Sequence, residues 1–85
     1  MRKIVKIVAR MLRLPKELPD KDIKFVVKHF AGPPKKSRSK HLVYDVNESH
    51  QISLPKSGPI KQYLIKRIIE IFKLEEWYEK HKKKQ

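Results

Sequence analysis

The 85-residue chain contains no cysteine, which excludes disulfides and thiolate metal centres but leaves the redox compartment open. Its four histidines have neither cysteine partners nor metal-ligand spacing, so the expectation is no metal and no cofactor. No segment approaches the roughly 20 uninterrupted apolar residues that crossing a bilayer requires. The first residues, Met1 to Leu12, are apolar enough to resemble a signal peptide, but Lys6 and Arg10 interrupt them and no small-residue cleavage site follows. A cytoplasmic location is the corresponding expectation. A chain this short forms one domain that buries about 60 to 65% of the surface its unfolded form exposes, leaving little room for a large substrate cavity.

Acidic residues are also scarce. Only 9 Asp and Glu stand against 22 Lys and Arg, a formal net charge of +13. In so small a body this spreads positive potential over nearly the whole surface, and the expected partner is a polyanion. Nucleic acid leads, ahead of an anionic membrane surface or a strongly acidic protein.

Ile4, Ile7, Val8, Met11 and Leu12 fall at helical spacing, with Lys3, Lys6, Arg10 and Arg13 on the other side. A short basic amphipathic helix is the first reading, and an edge strand from Lys3 to Ala9 the alternative, because several of the apolar residues are β-branched. Leu14-Pro15 ends the segment. Asp20 then serves as N-cap of a second helix whose apolar stripe is Ile23, Val26, Val27 and Phe30, stopped by Gly32-Pro33-Pro34. Lys35 to Lys40 has no apolar residue and reads as a solvated loop or a weak edge strand.

From His41 the period changes to two, placing Leu42, Tyr44 and Val46 on one face and His41, Val43 and Asp45 on the other. A turn at Asn47-Glu48-Ser49 and renewed alternation from Gln51 to Leu54 complete a hairpin. By the same parity His50 lies with Ile52 and Leu54, as a half-buried structural residue, and so faces away from His41. His29 and His81 read as surface residues. Pro59 is placed to open the last helix, with Ile60, Leu64, Ile65, Ile68, Ile69, Ile71 and Phe72 as its wide apolar face. That helix continues in this reading toward Glu79, before a basic tail over residues 80–85.

The order predicts an α+β fold, an αβββα sandwich like that of double-stranded RNA-binding domains, with two helices on one face of a small antiparallel sheet. Residues 1–13 form an extra amino-terminal segment, 14–79 the domain and 80–85 the tail. The extra segment reads as a homodimer contact, a membrane-surface helix or a cover over the sheet edge.

Three stretches resemble HicA-type toxins, small ribonucleases with this fold that a HicB-type antitoxin neutralises. Leu14-Pro15-Lys16, Lys21-Asp22-Ile23 and Ala31-Gly32 are similar to the family's first helix and its lead-in. His41-Leu42-Val43-Tyr44 resembles its histidine followed three residues later by an aromatic, and Ile52-Ser53-Leu54-Pro55 its last strand. Ile60 to Ile69 is similar to its final helix, and together these cover residues 14 to 72. Two departures stand out. Ser39-Lys40 replaces the usual Gly-Ser before the histidine, and Tyr63 stands where glycine is common. The resemblance implies a metal-independent endoribonuclease acting on mRNA, with His41 catalytic and a HicB-like antitoxin as protein partner.

The chemistry is consistent with that expectation. Cleaving RNA without a metal needs a base for the 2′-hydroxyl, an acid for the leaving oxygen and cations for the phosphorane charge. An imidazole, with an unperturbed pKa of about 6.5, serves in either proton-transfer role. Lys35, Lys36, Arg38, Lys40, Lys56 and Lys61 are the candidate nucleic-acid contacts, and Lys40, Tyr44 or a substrate group would complete the proton relay. Asp45 is too far along the strand, roughly 13 Å, to orient His41. Tyr63, Trp77 and Tyr78 are of a type that stacks on bases, though helical placement favours packing or partner contact. Glu70, Glu75, Glu76 and Glu79 read as a solvated helix face. Two other classes compete: a non-catalytic RNA-binding module of the same fold, and a basic regulatory protein that binds duplex DNA.

Overall fold

A computed structural model describes residues 2–47 and 49–82; Glu48 of the expected turn and Lys83 to Gln85 of the expected tail lie outside the described residues. Among the described residues, four helices accompany two small antiparallel sheets. The chain order is α1 (Lys3–Leu12), β1 (Glu17–Leu18), α2 (Asp20–Ala31), β2 (Lys36–Ser37), β3 (His41–Asn47), β4 (His50–Pro55), β5 (Ile60–Lys61), α3 (Gln62–Phe72) and α4 (Leu74–His81). The fold is thus α+β, as expected, with the three strands β2, β3 and β4 between α2 and α3 in chain order and the short β5 inserted just before α3. The main sheet has the order β2-β3-β4, and β1 pairs with β5 in a separate two-residue ladder.

The helical reading of the first segment holds, and the alternative strand does not form. Ile4, Val5, Ile7, Val8 and Met11 are all buried. They join Ile23, Val26 and Val27 of α2, Ile65, Ile68 and Ile69 of α3, and Leu74 of α4 in one core cluster. The apolar stripe of α1 is therefore taken up within the chain, and is not left open to a second copy, a membrane or a sheet edge. Periodicity alone could not show this, because an amphipathic helix has the same pattern whatever covers it. Arg10 reinforces the docking from the helix rim, reaching Asp22 of α2 at 3.0 Å.

Three details differ from the sequence reading. Asp20 is the first residue of α2, preceded by Pro19 at the cap position. Its carboxylate is occupied by Lys24, 2.9 Å away on the next turn, and that ammonium holds the acid below the ordinary carboxylate range. Pro59 does not open the last helix, because Ile60 and Lys61 are first drawn into pairing with Leu18 and Glu17. The expected long last helix breaks at Lys73, which adopts the left-handed conformation (φ 52°, ψ 52°) and lets α4 turn back. That turn buries Leu74 completely and packs Trp77 and Tyr78 against the core. The driving force is apolar burial, which offsets the roughly 1 kcal/mol that a non-glycine residue loses in this conformation.

The register of the main hairpin fixes its two faces. Leu42 is opposite Leu54, and Tyr44 opposite Ile52. Leu54, Ile52 and Tyr44 lie in the core, with Leu42 packed against it. His41 is opposite Pro55, Val43 opposite Ser53 and Asp45 opposite Gln51. These residues form the other face, where His41, Gln51 and Ser53 are exposed and Val43 is buried but stands outside the core cluster. A register irregularity between Asp45 and Asn47 ends the regular ladder. Beyond it His50 is exposed, not half-buried, and its Nδ1 lies 3.2 Å from Asn47 Oδ1. Strand parity puts His50 on the core side, but the core does not extend to that end of the hairpin.

Candidate nucleic-acid interface

The open face is built around His41, the first residue of β3. The turn that delivers it is closed by the Arg38 N–H donating to the His41 carbonyl at 2.8 Å, with Ser39 and Lys40 between them. Neither turn residue enters the left-handed region; the only non-glycine residues with positive φ among those described are Leu14 and Lys73. The turn therefore forms without a glycine. The Lys56 N–H donates to the Lys40 carbonyl at 3.0 Å and ties the turn to the end of β4. Lys24 in turn donates to the Lys56 carbonyl, so α2 anchors the end of β4 that holds the turn.

Three shallow hollows meet at His41, and among the described residues it is the single one that lines all of them. The first, about 480 Å³, runs toward α3 and includes Lys61, Tyr63 and Arg67. A second, about 470 Å³, runs toward the sheet edge and includes Lys36 and Arg38. The third, about 450 Å³, lies over the turn with Lys40 and Lys56. Lys36 reaches this face because it stands opposite Val43, and cross-strand partners share a face. Gln51 and Ser53 of β4 line both the first and second hollows and add uncharged hydrogen-bonding groups.

Of the residues singled out from sequence, His41, Lys36, Arg38, Lys40, Lys56 and Lys61 are brought together here. Lys35 is placed differently. Its ammonium lies 3.5 Å from Asp45, whose other oxygen accepts a hydrogen bond from Gln51 at 2.8 Å. Lys61 is loosely paired with Glu17 at 3.9 Å. Among the described residues, Lys36, Arg38, Lys40, Lys56 and Arg67 make no ion pair, so their charge is available to an anion.

Tyr44 cannot serve in a proton relay with His41. It is 3% exposed, sits on the opposite face among core residues, and burial pushes its phenol above the ordinary tyrosine value. The interval of three residues between His41 and Tyr44 ensures this, because odd intervals along a strand change face.

Sequence reasoning misses Arg67 as a contact and favours packing for Tyr63. The signal that links them is their spacing of four on α3, which puts both on one helix face, but only the tertiary structure aims that face at His41. The remaining histidines lie elsewhere. His81 stacks on Trp77 with centroids 4.3 Å apart, and its Nδ1 is 2.7 Å from the Trp77 carbonyl. His29 meets the same indole edge-on at 6.3 Å. Among the described residues no three His, Asp or Glu side chains converge as a metal site would require. No described helix is long and apolar enough to cross a membrane.

No protein-family model, no curated protein and no solved structure matches the chain.

Proposed function

We propose that the open sheet face binds the backbone of RNA and that His41 transfers protons in its metal-independent cleavage, as in HicA-type ribonucleases. The observation that carries this reading is the convergence of three cation-lined hollows on one exposed imidazole. A phosphodiester lying over His41 has Lys36 and Arg38 on one side, Lys40 and Lys56 over the turn, and Lys61 and Arg67 toward α3. Such donors hold consecutive phosphates and stabilise the charge that builds on a phosphorane.

His41 is exposed and can reach a 2′-hydroxyl or a leaving oxygen as general base or acid. With Tyr44 turned into the core, the complementary proton transfer falls to Lys40 or to the RNA itself. That same burial favours a second reading, in which the face grips RNA without cutting it.

Incubating the protein with single-stranded RNA in EDTA separates the two. The first reading predicts cleavage of RNA and none of the 2′-deoxy strand, which lacks the attacking hydroxyl. Salt-sensitive binding that leaves RNA intact supports the second reading. Preferential binding of duplex DNA removes both.

A further inference from the structure

We infer that Tyr63 is a base-stacking residue that makes the His41 face select unpaired nucleotides. The inference rests on the RNA-binding reading above and names the strand geometry that the site accepts.

The chain has three tyrosines and one tryptophan, and the fold treats them differently. Tyr44 is in the core, and Trp77 and Tyr78 pack against it. Tyr63 is 76% exposed, far more than Leu14 or Phe25, each at 39%. A ring left in water is unfavourable by itself, since nothing covers its apolar faces. Here the ring borders the same hollow as His41, with Arg67 one turn further along α3.

An aromatic face beside a cation and a hydrogen-bonding strand has the composition of a single-strand platform. Phosphates run along the basic groups while a base turns onto the ring. The hollow, about 480 Å³, is within the size range that holds a small ligand such as one nucleotide. Gln51 and Ser53 line its sheet side and can donate to or accept from a base edge or ribose hydroxyl. In duplex RNA the bases are already stacked on one another and cannot reach the ring, so duplex gains only the phosphate contacts.

The placement comes from contacts that are distant in sequence. Lys61 and Ile60 are held by β1, and Gln62 donates through Nε2 to the Leu14 carbonyl at 2.6 Å. These contacts fix the first turn of α3, and with it the position from which Tyr63 projects.

The test measures equilibrium binding in EDTA to a single-stranded RNA, to the same strand carrying abasic sites, and to duplex RNA. All proteins carry His41→Ala so that cleavage does not interfere. Tyr63→Ala is expected to weaken binding to the intact single strand by about 5- to 150-fold, the range for one lost base–aromatic stack. Tyr63→Phe should bind as the parent does, because the ring face is kept. Affinity for the abasic strand and for the duplex should be unmoved by Tyr63→Ala, since neither offers a base to the ring. Equal binding of the intact strand by the Tyr63→Ala protein and its parent overturns the stacking role while leaving RNA binding intact. A parent protein that binds none of the three RNAs in a salt-dependent way overturns the RNA reading and the stacking role with it.

Discussion

The dependence of binding on salt can be worked out from individual residues of the open face. Five cations there, Lys36, Arg38, Lys40, Lys56 and Arg67, make no ion pair among the described residues. If each neutralises one phosphate of a single strand, the slope of log affinity against log salt is about −3.5, and affinity falls on the order of 100-fold between about 50 and 200 mM salt. Replacing Arg38 by Gln removes one contact and should flatten the slope by about 0.7. Lys35→Gln should change it less, because Lys35 already faces Asp45 at 3.5 Å and a phosphate must compete with that carboxylate. Lys66→Gln is the control: it makes the same change of net charge but borders a different hollow, with Leu12 and Glu70. Fluorescence anisotropy of a labelled strand over a salt series reads all four proteins. Equal flattening by Arg38→Gln and Lys66→Gln would refute the reasoning, since it would mean that total charge governs binding and not the face around His41.

Other predictions concern the frame that holds this face. Met11→Ala opens a cavity under α1 where the side chain is 0% exposed, and should cost about 2–5 kcal/mol and lower Tm on the order of 10 °C or more in thermal denaturation. A loss below about 1 kcal/mol would mean that α1 is not part of the core. Tyr44 has a raised folded-state pKa, so the stability it contributes is complete below the unfolded value of about 10 and is lost as pH rises through the folded value. Urea titrations from about pH 8 to 11 should show a smaller alkaline loss for Tyr44→Phe than for the parent. At Lys73, in left-handed backbone, Lys73→Gly should leave stability equal or raise it by up to about 1 kcal/mol, whereas Lys73→Val should lower it by about 1 kcal/mol or more. Equal stabilities of the two variants would contradict the helix break.

Much of the fold is legible in the sequence because local patterns carry it. The stripe Ile23, Val26, Val27 with Gly32-Pro33 defines α2, and alternation from His41 to Leu54 defines the hairpin and the face of most of its residues. What is not legible depends on distant partners. Ile60 and Lys61 have a helical pattern, yet pairing with Leu18 and Glu17 makes them a strand. Lys73 has no feature of a helix stop, and only the burial of Leu74 and Trp77 explains the break there.

The site divides in the same way. His41 with Lys36, Arg38 and Lys40 is local in sequence, visible as a histidine in a basic run. Lys56 and Lys61 are placed by their positions flanking the hairpin and α3. Tyr63 and Arg67 join only through the packing of α3 beside the sheet. Tyr44, close in sequence, is removed by strand parity.

The central claim is that His41 performs chemistry on bound RNA. Its most direct test is the cleavage rate of a single-stranded RNA in EDTA under saturating protein, for the parent and for His41→Ala, with binding measured alongside. The account predicts equal folding, affinity within a few-fold, and a cleavage rate lowered about 100- to 10,000-fold, the contribution of a general acid or base. Cleavage by His41→Ala at the rate of the parent would contradict it.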